Sequence, residues 1–484
     1  MTSPVDRQPP GTAKPDWASA LERAHAAALR WLDSVDERPI RPGADLAEMT
    51  RRFDMPIPSR PSPPEKVIEE LAALAEPGLI AMNSPRFHGW VIGGATPAGV
   101  AADWLTAAWD QNTAMAEPTP ALAAIENLTA RWILELTDLP PDSGIGFVTG
   151  GQVANLVCLA AARSGVTAAY GYDVDAQGLA GAPPITVVTG EHAHSTVSKA
   201  LRILGFGHGT AVRVASDANA RIVPEALREA VQDVDGPLIV CSQAGDVNTG
   251  GIDRFREIDE ILTAVRRRLP EGAVWHHVDG AIGLWALASP TLRSLFEGIE
   301  AADSWSTDAH KWLNTPYDCG IAITSRPDAH RRALTLRADY LPDGGEDRNP
   351  IDWNPEMSRR ARATPVYATI KALGRDGIVE LIERDVAMAR RYADALSGEP
   401  GVEVLNEVQL NQVLVRFRDS GGSADPHTPR VLAAVQESGV AYPTGTMWMG
   451  EPAIRISVSH WLTGPDDVDA TVAALVEAHR RLSG

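Results

Sequence analysis

Between residues 145 and 324, short β-branched runs alternate with stretches of helical periodicity. The runs are IGFV (145–148), ITVVT (185–189), TAVRV (210–214), PLIVCS (237–242), AVWHHV (273–278), DSWST (303–307) and GIAIT (320–324). Strands spaced by helices predict an α/β architecture with a mostly parallel sheet. Ahead of them, Trp17, Leu21, Ala24, Ala28 and Trp31/Leu32 recur at helical spacing behind a capping Asp16. A second helix is expected from about Pro64 to Ala75, after an extended connector with five prolines between Pro56 and Pro64. From about residue 377 a long Arg/Ala-rich helix leads into VEVL, QVLVRF, AIRISVS and a terminal helix, the pattern of a smaller α+β unit. The expected organisation is an N-terminal helical arm (1–80, with 1–16 disordered), a large domain (81–366) and a small C-terminal domain (367–484).

Composition narrows the function classes. The chain has 484 residues and a net charge of −19, which repels a phosphate backbone, so no nucleic-acid partner is expected. Cys158, Cys241 and Cys319 form no C-x-x-C pair, which excludes a disulfide framework and fits a reducing compartment. The segment MTSPVDRQPPGTAKP lacks the apolar core of a signal peptide, and no run of eighteen apolar residues occurs. A cytoplasmic protein with no membrane contact is expected.

Unusual residues cluster where the predicted strands end, which is where ligands bind in open α/β sheets. After IGFV comes Thr149-Gly150-Gly151-Gln152 at the start of a helix, where backbone N–H groups and the helix dipole form an anion cradle. A glycine pair at such a turn is, by itself, as often only a tight turn. His192 and His194 follow ITVVT. Asp279 follows AVWHHV; it reads either as a helix N-cap or as the partner of a cationic ring nitrogen. Asp308, His310 and Lys311 follow DSWST. Lys311 lies among Trp305, Trp312 and Leu313, apolar company that favours the uncharged amine needed for imine formation. Together, a phosphate cradle, an aspartate for a pyridinium, a stacking imidazole and a desolvated lysine describe a pyridoxal 5′-phosphate site. His192, His194 and His277 make only a loose metal pattern, and no metal is expected.

SPRFHGW (84–90), TGGQVANL (149–156), AHSTV (193–197), HVDGAIG (277–283) and DAHKW (308–312) carry a further signal. In their order and spacing the chain resembles the group II pyridoxal-phosphate-dependent decarboxylases (aromatic-L-amino-acid, histidine and glutamate decarboxylases), across roughly residues 17 to 480. The resemblance implies the type I fold of the aspartate aminotransferases and a homodimer with its active site at the subunit interface. It implies Lys311 as the Schiff-base lysine, Asp279 on the pyridine nitrogen, with Ala281 beside it, His194 stacked on the ring and His310 next to the cofactor. Gly150, Gly151 and Gln152 would cradle the phosphate, and Asn248 would contact the cofactor. Tyr340, in RADYLP, matches the tyrosine of a mobile catalytic loop that returns a proton to the substrate carbon.

Three positions depart from the pattern. Gln152 stands where Ser or Thr is common, which leans the phosphate on backbone N–H groups. GDVNTGG (245–251) replaces GTTxxG. Asp308 stands where relatives often have asparagine near the phosphate, so it is expected to turn away, to bond through water or to be protonated. The implied reaction is decarboxylation of an L-amino acid to an amine and carbon dioxide. Another reaction at Cα on the same cofactor (aldol-type cleavage, oxidative deamination or transamination) is the alternative, and a non-catalytic scaffold a remote one. The substrate stays open: Trp90, Trp104 and Trp109 suit an apolar side chain, and Asp110-Gln111-Asn112 a polar one.

Overall fold

The computed structural model describes residues 16–207, 209–335 and 348–483. The chain divides into two compact units, residues 1–84 and 85–484. In the first unit Asp16 caps the helix Trp17–Asp33 by accepting from the Ser19 N–H, and Pro64–Ala75 is helical, both as the periodicity predicts. The helix Leu46–Phe53 was not foreseen; its eight residues are too few to show a period. None of these three helices contains a buried residue.

The second unit holds all the predicted strands. Seven form one sheet: β1 (Gly144–Val148), β2 (Thr186–Gly190), β3 (Val212–Val214), β4 (Leu238–Gln243), β5 (Val274–Asp279), β6 (Ser304–Asp308) and β7 (Gly320–Thr324). Their order is β1-β7-β6-β5-β4-β2-β3. The stretch from β6 through β5, β4 and β2 to β3 is parallel, and β7 runs antiparallel to both β6 and β1. β1, β4, β5, β6 and β7 are buried along their whole length, so their apolar runs lose water on both faces. Trp275, Trp285, Trp305 and Trp312 are among the largest fully buried side chains. Trp285, Trp305 and Trp312 share one core cluster, and Trp275 belongs to another.

Four more strands, β8 (Val402–Val404), β9 (Gln412–Phe417), β10 (Thr444–Trp448) and β11 (Glu451–Ser457), form an antiparallel sheet of order β10-β11-β9-β8. The helix Ala363–Ser397 breaks at Gly374, which sits at φ +65°, a conformation glycine takes without the Cβ penalty. The expected boundary at 366/367 falls inside this helix. Ile370 to Val386 pack into the core of the large sheet, whereas Ala389 to Leu396 pack into that of the small one. Among the described residues no helix is long and apolar enough to cross a membrane.

Candidate active site

The carboxyl ends of β1, β2, β4, β5 and β6 open onto one cleft. Its lining includes Gly151, Gln152, His194, Asp279, Ala281 and Lys311, together with Thr196, Gly245, Val247 and Asp308. Seven residues singled out from the sequence, Asp308 among them, are thus brought together. Gly150 is the N-cap of the helix Gly151–Ala168. The turn before that helix can form only because β7 offers it a glycine: a Cβ on Gly320 would overlap the backbone of Gly150.

Asp279 ends β5 and is 7% exposed. Its Oδ1 accepts the Ala281 N–H at 3.1 Å and its Oδ2 accepts from Asn155 Nδ2 at 3.0 Å. Asn155, on the Gly151 helix, is a residue the sequence reading did not single out. Its Nδ2 also reaches Thr196 Oγ1 at 3.1 Å, and Thr196 Oγ1 lies 2.7 Å from His194 Nδ1. Its Oδ1 accepts from Ser306 Oγ at 2.7 Å and faces His277 Nε2 at 2.9 Å. That oxygen can only accept, so the His277 proton sits on Nε2 and its Nδ1 takes the hydroxyl of Ser304, which itself accepts from Trp275 Nε1. Burial holds His277 down to about 4, so the ring is neutral and this wiring is fixed. His277 is therefore a relay beneath the site, which leaves the loose three-histidine metal pattern without geometry.

His194 caps the helix Ser195–Ile203 and is exposed toward the cleft. Partial desolvation holds its pKa below the ordinary imidazole value, against the pull of Asp279. His310 is buried, and burial likewise lowers its pKa. Its Nδ1 accepts the Cys319 N–H at 3.2 Å, so the neutral ring carries its proton on Nε2, 3.4 Å from Asp308 Oδ1. Tyr317 stacks on this ring at 4.2 Å.

Asp308 does not turn away. It is 2% exposed, its Oδ1 accepts the Gly151 N–H at 2.5 Å, and its Oδ2 lies 2.9 Å from Lys311 Nζ. The lysine expected to stand alone among apolar neighbours is ion-paired. Gln152 reaches away from the cradle, donating from Nε2 to the Thr196 carbonyl at 3.2 Å. Asn248 accepts from Thr446 Oγ1 at 3.0 Å and faces Arg455 Nη1 at 3.5 Å. Arg455, on β11, is a buried guanidinium whose Nε has no hydrogen-bond partner among the described residues; burial lowers its pKa. It was missed because AIRISVS reads simply as a strand. Tyr340 lies outside the described residues.

The solved structure of Oryza sativa TDC with PLP and tryptamine matches with a TM-score of 0.89 at 24% identity, over 98% of this chain and 100% of that one. The fold is the α/β type I fold of the pyridoxal-phosphate decarboxylases. L-2,4-Diaminobutyrate decarboxylase of Rhizobium meliloti (strain 1021) is 30% identical over 434 residues, 85% of this chain and 82% of that protein. 4-Hydroxyphenylacetaldehyde synthase of Rhodiola rosea is 24% identical over 457 residues, 91% of this chain and 90% of that protein. The family model for the pyridoxal-dependent decarboxylase conserved domain matches residues 47–418. A match of that length establishes membership: the chain belongs to the pyridoxal-dependent decarboxylases, an enzyme family whose cofactor is pyridoxal 5′-phosphate.

Proposed function

We propose that this enzyme removes the α-carboxylate of an L-amino acid, releasing carbon dioxide and the amine, with Lys311 as the residue that holds the cofactor. One observation carries the reading: a lysine, a buried carboxylate and a helix N-terminus converge on a single cleft. They fit a phosphorylated pyridine aldehyde, which needs an amine, an anion at the ring nitrogen and N–H donors at the phosphate. When bound, the cofactor supplies an aldehyde carbon that takes up an amine and a ring that accepts the electron pair of a breaking Cα bond.

The residues of the chain do the rest. Asp279, oriented by Asn155 and the Ala281 N–H, keeps a proton on the ring nitrogen. His194, held by Thr196, would pack against the ring. Gly150, Gly151 and Gln152 would cradle the phosphate at the positive end of an 18-residue helix, although the Gly151 N–H already serves Asp308. Arg455, whose charge is felt at His194, adds a buried positive charge near the site. Tyr340 returns a proton to Cα; His310, which carries a proton on Nε2, is the second candidate for that step. The working unit is a homodimer with the site at its interface, supported by the apolar side chains that the arm leaves exposed.

A second reading, oxidative conversion to an aldehyde, is favoured by relatives that bear the name of aldehyde synthases. Screening the twenty amino acids and ornithine-type diamines for carbon dioxide, amine, aldehyde, ammonia and peroxide separates the two. Amine equal to carbon dioxide is expected; aldehyde with peroxide would replace the first reading by the second. Borohydride reduction of the yellow protein should fix the cofactor to the peptide that contains Lys311. A label on another lysine would remove Lys311 from its role.

A further inference from the structure

We propose that Asp308 is a positioning residue that ties cofactor retention to a proton: its carboxyl group and the cofactor phosphate share one hydrogen at the N-terminus of the Gly151 helix. The proposal rests on the placement of the phosphate at Gly150, Gly151 and Gln152 given above.

The geometry brings two anions to one place. Asp308 is buried, and its Oδ1 accepts the Gly151 N–H at 2.5 Å. A Cβ on Gly151 would stand 2.6 Å from Asp308 Oδ2, so the carboxylate already lies against the backbone that the phosphate must reach. Two anions held this close repel by more than the dipole of one helix returns, even at the effective dielectric of a protein site. Lys311 Nζ, 2.9 Å from Oδ2, offsets the repulsion only while it stays on Asp308, and its role takes it to the aldehyde carbon. Gln152 commits one of its two side-chain N–H groups to the Thr196 carbonyl. A single hydrogen between carboxyl and phosphate turns the repulsion into a charge-assisted hydrogen bond.

Few of the groups that face Asp308 can exchange a proton near neutral pH. On its own loop these groups are Lys311 Nζ and His310 Nε2. From the segment leading into β7, Tyr317 and Cys319 feel its charge, and burial holds both above their ordinary values, the Tyr317 phenol at about 12, so neither ionises near neutrality. From the Gly151 helix only backbone N–H groups approach. His310, whose imidazole burial pushes below its ordinary value, is the remaining imidazole beside Asp308, and it needs its own control.

The test measures cofactor held at equilibrium by the full-length holoenzyme between pH 6 and 9 at constant ionic strength, with pyridoxal 5′-phosphate and with pyridoxal, which lacks the phosphate. Pyridoxal shares the amine and ring-nitrogen protonations, so the difference between the two slopes isolates the phosphate end. The wild type should lose affinity for the phosphorylated form about tenfold more per pH unit than for pyridoxal, over about one unit, as linkage to one proton requires. Asp308→Asn should abolish that difference and hold pyridoxal 5′-phosphate more tightly above pH 8, whereas His310→Gln should keep the difference. Equal slopes in the wild type overturn the proposal without any variant. So does an Asp308→Asn protein with the wild-type slope, or a His310→Gln protein that has lost it. Failure of the underlying reading shows separately, as a borohydride label that is absent from Lys311 in the wild type.

Discussion

Asn155 donates from Nδ2 to Asp279 Oδ2 across 3.0 Å, and so joins the Gly151 helix to the end of β5 inside the site. The same amide reaches Thr196, which holds His194, so one side chain sets both the carboxylate proposed for the ring nitrogen and the imidazole proposed for the ring face. Asn155→Ala leaves a buried carboxylate oxygen and the His277 N–H without their partner. A buried group left unsatisfied costs about 1–3 kcal/mol, so cofactor affinity should fall roughly 10- to 100-fold. The absorbance band of the bound cofactor should shift as well, because Asp279 no longer holds its geometry. A variant with lower melting temperature but unchanged cofactor affinity and spectrum would make Asn155 a purely structural residue.

How far the sequence spoke for this site follows from where each signal is stored. The strands β1, β4, β5, β6 and β7 were legible because strands buried on both faces must be apolar runs, and candidate residues follow the strand ends. Gly151, His194, Asp279 and Lys311 were found at those ends. Asn155 was not, because a single asparagine in VANLVCL looks like an ordinary polar position on an amphipathic helix; its signal was that its neighbours Ala154, Val157 and Cys158 are all core residues. Of the three courses expected for Asp308, turning away is the one its contacts with Gly151 and Lys311 rule out, and those contacts arise only in the folded chain. The strand β10 (TGTMW) carries too few apolar residues to stand out.

Away from the site, Glu126 lies buried between Arg359 and Arg348. The Arg359 side chain has no exposure at all, and among the described residues its Nε and Nη1 lack partners, so the carboxylate is what neutralises it. Glu126→Leu should destabilise the protein by about 3–5 kcal/mol, the cost of stranding a buried charge. Glu126→Leu combined with Arg359→Leu should recover much of that loss. Urea midpoints of the three proteins provide the comparison, and a double variant no more stable than the single one would show that the pair does not act as a unit.

His330 supplies a pH test. Burial holds its imidazole down to about 4, with Nδ1 at 3.2 Å from Thr324 Oγ1 and Nε2 at 3.1 Å from the Trp353 carbonyl. Its folded pKa lies below the unfolded value of about 6.5. The stability it contributes is therefore complete above pH 6.5 and is lost as the pH falls toward 4, because only the unfolded chain takes up the proton. His330→Gln should cost about 1–2 kcal/mol at pH 7.5 through its hydrogen bonds. That deficit should shrink below pH 6.5, close between about pH 6 and 5 and reverse sign toward pH 4, since each unit of pKa difference is worth about 1.4 kcal/mol. Urea midpoints at pH 7.5 and 5.0 measure it; a deficit that stays constant would mean that folding leaves the imidazole pKa unshifted.

The exposed side chains of the arm carry the last prediction. Trp17 is 72% exposed, Leu46 83% and Ile57 91%, and none of the helices around them holds a buried residue. Single exposed apolar residues are ordinary, but a proline-rich arm with this many gains little from folding on itself. A second copy of the chain is the surface we propose for it, and a stable interface of that kind buries on the order of 1,600 Å². Sedimentation at micromolar concentration should find a dimer. Leu46→Glu with Ile57→Glu should weaken the dimer, and activity should fall in step with dissociation, since the site is proposed to need both chains. Far-ultraviolet circular dichroism should stay unchanged, because both positions are exposed. A monomer with full activity at that concentration would refute both the dimer and the shared site.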